Sequence, residues 1–137
     1  MPLDPSNPLA APSALPYELP DFASIADTDY QPAIEAGMAE QLAELAALAA
    51  DAKPASVANV IEAWEASGRL LGRALRVFYT KQPADTNPVL DGVDQAIAPQ
   101  LAAHTDAIYL DRGLYDRVAS LARRVEAAPR DRFDTGR

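Results

Sequence analysis

The 137-residue sequence contains no cysteine and only one histidine, His104. Without cysteine there is no disulfide bond, no zinc site built from thiolates and no cysteine nucleophile. A catalytic zinc site of the H-E-x-x-H type needs two histidines on one helical face, so this chain cannot contain one. The lack of cysteine also suits a reducing compartment.

Basic residues are absent from the first part of the chain. Residues 1–52 contain nine acidic residues and no lysine or arginine, whereas the remainder contains 11 acidic residues and all 12 basic ones. Because an acidic surface repels phosphate backbones, we do not expect nucleic acid as a partner. A solvated acidic face that aids solubility is the simplest explanation of this asymmetry.

Long apolar runs are absent as well. No stretch approaches the roughly 20 apolar residues that cross a bilayer, and the N-terminal residues lack the basic and apolar regions of a signal peptide. We therefore predict a soluble, cytoplasmic protein of one domain, without a membrane partner.

Proline, by contrast, is concentrated at the start of the chain. Six of the 12 prolines fall within the first 20 residues. Because proline fixes φ and has no N–H, we predict an extended, proline-rich arm over residues 1–26. Apolar side chains are spaced along this arm, and we expect it to pack on the remaining domain through Leu15, Tyr17 and Phe22.

Four later segments show the three- and four-residue apolar spacing of amphipathic helices. We predict that they begin after Asp29 (or Thr28), after Ser56, at Asn87-Pro88 and after Asp111, four positions suited to helix N-caps. The first helix is predicted to end near Asp51, before Lys53-Pro54. The apolar stripes of the other three run to Phe78, Ile108 and Val125, and Pro99 is predicted to kink the third helix.

No segment shows the alternating pattern of a strand, so the predicted fold class is all-α. We expect an antiparallel array of about four helices over residues 27–128, followed by a polar tail over residues 129–137.

The stretch SGRLLGR, Ser67–Arg73, could be a phosphate-binding loop, a break or a part of a helix. A phosphate loop needs a preceding strand and a longer glycine-rich run, and the sequence has neither. Because the apolar spacing continues through this stretch, we predict that Gly68 lies inside a helix. Gly68 and Gly72 would then mark a close crossing with another helix, or a bend.

Few side chains are candidates for chemistry. His104 lies on an apolar stripe and no G-x-S-x-G turn is present, so we interpret it as a packed or interfacial residue rather than a catalytic one. The other candidates are charged residues close together in the sequence: Asp27 with Asp29, Asp91 with Asp94, and Arg123 with Arg124. We interpret them as helix caps, first-turn charges and a solvated helix end. The residues alone therefore predict no catalytic, cofactor-binding or metal-binding site.

Five segments in order nevertheless resemble the N-terminal region of M3-family zinc peptidases: NPLAAPSALPYELPDFASI, YQPAIEAGMAEQLAEL, NVIEAWEASGRLLGRALRVFY, ADTNPVL and IAPQLAAHTDAIYLDRGLYDRV. The resemblance covers about residues 7–124 and is greatest to the peptidyl-dipeptidase (dipeptidyl carboxypeptidase) branch. It implies an almost wholly helical metallopeptidase that hydrolyses short peptides with zinc. The matched region is implied to form an outer part that helps enclose the substrate channel.

No position here matches the zinc motif of that family, which lies far downstream of the matched region. We therefore expect no metal or catalytic residue in this chain, no activity of the chain alone, and the catalytic region of the parent peptidase as its partner. After Arg124 the sequence departs from the family pattern, which would suit an excised domain, a truncated reading frame or a free-standing remnant. The alternative is a stand-alone helical module that binds a peptide or a helix without catalysis.

Overall fold

A computed structural model describes residues 2–85 and 87–127, and these residues form an all-α fold without strands, as predicted. In chain order the helices are α1 (Tyr30–Ala50), a π-helical turn (Val57–Glu62) that continues into the short α2 (Ala63–Ala66), α3 (Arg69–Ala84), α4 (Pro88–Tyr109) and α5 (Arg112–Ala127). No helix within the described ranges is long and apolar enough to span a bilayer. The predicted polar tail, residues 129–137, lies outside these ranges.

The predicted caps of three helical segments are confirmed. The Asn87 side chain accepts a hydrogen bond from the N–H of Leu90 at 2.9 Å, and Pro88 occupies the first turn of α4. Asp111 accepts from the N–H of Leu114 at 2.9 Å and so caps α5. At the π-helical turn, the Ser56 hydroxyl accepts from the N–H of Asn59 at 3.1 Å. These caps follow from local chemistry, because each satisfies an N–H that the helix leaves free.

The main core lies where α1, α3 and α4 meet under the N-terminal arm. The rings of Tyr30 and Phe78 are 5.5 Å apart, centroid to centroid. The buried members of this cluster are Leu9, Ile25, Tyr30, Ala33, Ile34, Met38, Leu71, Ala74, Val77, Phe78, Leu90, Val93 and Ile97. Tyr30 at the start of α1 contacts Phe78 late in α3, whereas Gly37 further along α1 lies against Leu71 early in α3, so this pair runs in opposite directions. An antiparallel arrangement of the whole array stays a prediction.

The predicted continuous helix through Gly68 is wrong. Gly68 has φ 72° and ψ 27°, in the left-handed region, and Ser67 has ψ 154°. Two consecutive residues therefore leave the helical conformation, and the chain turns between α2 and α3. Glycine suits this position because a left-handed conformation costs it no steric strain.

The close helix crossing is formed by a different glycine, Gly37 in α1. A Cβ atom placed on Gly37 would lie 2.7 Å from the Cα of Leu71 in α3, which is closer than atoms can pack. At Gly72, by contrast, a Cβ atom would meet nothing within 4 Å. The prediction of a close approach is therefore wrong for Gly72 and missed Gly37, whereas Gly68 does lie against α1, since a Cβ atom there would be 2.7 Å from the Gln41 side chain.

The N-terminal arm forms short 3-10 turns and is held near its two ends. Leu9 and Ile25 are buried in the main core, and Phe22 packs partly against it. The predicted anchors Leu15 and Tyr17 are wrong, since both side chains are exposed and Tyr17 is 96% exposed. The boundary of the arm at residue 26 stays a prediction.

Candidate functional site

His104 is 7% exposed and lies where α4 faces α1. Its Nε2 is 2.7 Å from Oε1 of Gln41. Because an amide oxygen only accepts hydrogen bonds, Nε2 carries the proton in this pair. Nδ1 is then an acceptor, and it is buried without a hydrogen-bond partner among the described residues.

The hydrogen bond from His104 is the first of three in a row. The Gln41 amide nitrogen donates to the Ser67 hydroxyl at 3.3 Å, and that hydroxyl donates to the carbonyl of Trp64 at 2.6 Å. The series therefore joins α4, α1 and the turn between α2 and α3. Hydrogen bonds aligned in one direction polarise one another, so this partly buried series helps to hold the relative positions of its helices.

The same arrangement argues against a serine–histidine pair. The nearest serine in the series, Ser67, donates to a backbone carbonyl, and Gln41 separates it from His104. Burial lowers the pKa of His104, so the imidazole is neutral at pH 7. His104 is thus a packed residue that positions helices, as its place on the apolar stripe predicted.

The carboxylates near the end of the arm bind neighbouring elements. Asp27 lies 3.1 Å from the Lys81 ammonium and accepts a hydrogen bond from the Asn87 side chain at 3.1 Å. Asp29 accepts from the N–H of Ala26 at 2.8 Å, which is a local capping contact. Burial and then the negative charges of Asp27 and Asp29 raise the pKa of Tyr30 to about 12. The contacts of Asp27 therefore connect the end of the arm to α3 and to the start of α4.

The remaining sequence candidates are not assembled into a catalytic pair. Asp91 accepts a hydrogen bond from Gln82 at 3.3 Å, whereas Asp94 lies close enough to Tyr79 to help raise the pKa of that phenol, after burial. Arg123 and Arg124 are exposed on α5. Within residues 2–85 and 87–127, no three histidine, aspartate or glutamate side chains lie together so as to hold a metal ion.

A cavity of about 750 Å³ lies between the arm and α3. Arg69, Arg73 and Arg76 line it, and so do Glu18 and other acidic residues, so its charge is mixed. The Arg73 guanidinium donates twice to the carbonyl of Leu9, at 2.9 and 3.1 Å. Arg73 therefore anchors the arm to α3, a role that the sequence pattern around it did not indicate.

Three exposed apolar side chains flank the turn between α4 and α5. Tyr109 is 76% exposed, Leu110 83% and Tyr115 66%. We call these three residues the corner patch. The sequence does not reveal this patch, because Tyr109 and Leu110 come directly after the apolar spacing that ends at Ile108 and the pattern does not locate the end of the helix.

Comparison with known proteins shows which proteins this chain is similar to. No protein-family model matches the chain. The dipeptidyl carboxypeptidase of Escherichia coli K12 is 38% identical over 121 residues, which are 88% of this chain and 18% of that protein. The dipeptidyl carboxypeptidase of Salmonella typhimurium LT2 is 37% identical over 113 residues, 82% of this chain and 17% of that protein. Over most of its length, the chain is similar to part of a peptidase.

These matches confirm the predicted resemblance to dipeptidyl carboxypeptidases. The chain spans less than a fifth of the length of either relative. Similarity at this level and over this extent supports a piece of a peptidase-like protein with the all-α fold described above.

Proposed function

We propose that this chain is the N-terminal helical domain of an M3-family zinc metallopeptidase of the peptidyl-dipeptidase type. In this proposal the domain helps enclose the channel in which short peptides are hydrolysed, and the chain alone is inactive. The observation that carries the proposal is the 37–38% identity to two dipeptidyl carboxypeptidases over 82–88% of the chain.

The chain's own donor atoms do not fit a catalytic zinc ion. Such a site takes three protein ligands, commonly including two imidazoles, and keeps one position open. The sequence offers one imidazole, His104, whose Nε2 is already engaged by Gln41. Carboxylates are hard ligands that suit magnesium or calcium better than zinc. The zinc ligands are therefore proposed to lie in the large part of the relatives that this chain does not match.

The contribution of this domain is steric. Three long helices share one apolar core, and the arm is tied to that core by Leu9, Ile25 and the hydrogen bonds from Arg73. A rigid wall of this kind limits a channel to flexible, short peptides, since a folded protein cannot pass it. In this way the domain acts on substrate selection and leaves the chemistry to the catalytic region.

The proposal is tested by a chimera in which this chain replaces the matching residues of the E. coli dipeptidyl carboxypeptidase. We expect the chimera to hydrolyse short peptides and to contain one zinc ion, whereas this chain alone does neither. The matched control is the chimera with Gly37→Leu, which should disturb the domain through the contact with Leu71.

Two results would contradict the proposal. One is a folded chimera without peptidase activity under conditions in which the E. coli enzyme is active. The other is peptide hydrolysis by this chain alone that a chelator abolishes, together with one bound zinc ion per chain.

A further inference from the structure

The corner patch is held rigidly from behind. Ile108 and Leu114, next to it in sequence, pack into a second apolar cluster with Leu45 and Leu48 of α1. Asp111 caps α5 between the two halves of the patch. A Cβ atom on Gly113 would lie 3.1 Å from the Cβ of Ala49, so the turn also sits close to the end of α1. The side chains of the corner patch therefore lie outside this second cluster.

The patch has the composition of a protein–protein interface. It consists of two tyrosines and a leucine, and tyrosine is enriched at protein–protein interfaces. The rim is polar, with an exposed ion pair between Arg112 and Asp116 at 3.6 Å. Asp106 and Asp111 are also exposed at this turn. The rim carries more acidic than basic side chains, which disfavours an anionic membrane surface as the occupant.

The relatives indicate what covers the patch. A continuous match of 121 residues within a chain of 137 must include residues 17–121, and so all of the corner patch. More than four-fifths of the E. coli relative lies outside the match. The match to the E. coli relative thus covers the positions of the corner patch, and the unmatched part of that relative is a large additional polypeptide that can bury them.

We propose that Tyr109, Leu110 and Tyr115 form the docking surface for the remaining polypeptide of the peptidase. This inference rests on the proposed function and specifies its partner and its contact. Docking would bury two aromatic side chains and one aliphatic side chain at the turn between two helices. Because this turn is already ordered, binding does not carry the entropy cost of ordering a loop.

The test is hydroxyl-radical labelling of tyrosines, read by mass spectrometry, in this chain alone and in the E. coli chimera. Tyr109 and Tyr115 are expected to be labelled in the chain alone and protected at least about fivefold in the chimera, because the centre of an interface is desolvated. Tyr30, which is fully buried, gives the baseline for a protected tyrosine in both samples.

A double variant, Tyr109→Ser with Leu110→Ser, gives a second measurement. The stability of the chain alone is expected to change little, because both side chains are exposed. In the chimera the same variant is expected to lower peptidase activity at a fixed temperature by about tenfold, as loss of interface anchors does. Val57→Ser, at an exposed apolar residue outside the patch, is the matched control and is expected to leave the activity unchanged.

The outcomes separate the two proposals. An active chimera whose Tyr109 and Tyr115 stay labelled would overturn the docking surface and leave the proposed function standing. An inactive chimera with both tyrosines protected would support the docking surface and overturn the proposed function. An inactive chimera with both tyrosines labelled would overturn the docking surface and the proposed function together. Dimers of the chain alone that the double variant dissociates would assign the patch to a second copy and also overturn the docking proposal.

Discussion

Helix α1 makes two neighbouring contacts that differ in their physics, one with α3 and one with α4 and the turn before α3. At Gly37 the contact is one of shape, since α3 passes so close that a Cβ atom would lie 2.7 Å from the Cα of Leu71. About one turn later, at Gln41, the contact is polar, and the amide joins Ser67 at 3.3 Å to His104 at 2.7 Å. At Gly37 an added side-chain atom would clash with the backbone of α3. At Gln41 the loss of the amide would leave the Nε2–H of His104 without its acceptor.

The close packing at Gly37 contributes mainly to the stability of the fold, whereas the polar contacts of Gln41 contribute mainly to the placement of the helices. Close packing at Gly37 brings the apolar faces of α1 and α3 together, and burial of those faces provides most of the stabilisation. The polar contacts contribute less net free energy, because water offers the unfolded chain the same hydrogen bonds. They determine instead where α3 begins and how α4 lies beside it. Three substitutions, each with a control, and a change of pH test this contrast.

Gly37→Ala is expected to have the largest effect. The added methyl group meets the backbone of α3, which cannot move aside without shifting the helix. We expect the free energy of unfolding to fall by about 2 kcal/mol, measured by urea denaturation, despite the higher helix propensity of alanine.

The matched control is Gly72→Ala, on the other helix of the pair. Nothing lies within 4 Å of the added methyl group, so only the gain in helix propensity remains. We expect a rise of about 0.5–1 kcal/mol. Equal effects of the two substitutions would refute the close crossing at Gly37.

Gln41→Leu tests the polar contact. The substitution keeps an apolar stem but leaves the Nε2–H of His104 buried without an acceptor. The cost of such an unsatisfied donor is about 1–2 kcal/mol, and we expect a decrease of that size in thermal or urea unfolding. Glu40→Leu, at the exposed neighbouring position, should change stability by less than about 0.5 kcal/mol. A decrease no larger than that of the control would show that the hydrogen bonds contribute nothing.

The same two places show what the sequence could and could not predict. The caps at Asn87 and Asp111 were predicted because each depends on residues within one turn. The break at Gly68 was missed because apolar spacing on either side of a single left-handed residue stays close to a helical period. The role of Gln41 was missed for another reason. Its partners lie 26 and 63 residues away, and no local pattern marks a polar residue that faces two distant helices.

Gly68→Ala tests the turn that separates α2 from α3. An alanine at φ 72° is strained, and its methyl group would lie 2.7 Å from the amide nitrogen of Gln41. We expect a loss of about 1–2 kcal/mol, smaller than a backbone clash would give because a side chain can move. Gly92→Ala, inside α4 with nothing within 4 Å, is the control and should be neutral or stabilising. If Gly68→Ala stabilises the protein, the turn at Gly68 is refuted and the predicted continuous helix is supported.

The smallest effect is expected from pH, through His104. Burial lowers the pKa of this side chain in the folded protein, so below the ordinary histidine pKa of about 6.5 the unfolded chain binds more protons than the folded one. Stability is therefore fully present above that pH and falls as the pH decreases through it. Urea unfolding at pH 7.5, 6.5 and 5.5 should show this decrease, and His104→Gln should reduce it, since the chain has no other histidine.

The physical reason lies in the unpartnered ring nitrogen. Protonation of the neutral imidazole adds a proton at Nδ1, which is buried and faces no acceptor among the described residues. The Nε2–H bond to Gln41 does not compensate, because it exists before protonation. If wild type and His104→Gln lose stability equally between pH 7.5 and 5.5, the imidazole is accessible to water, and its burial does not lower its pKa.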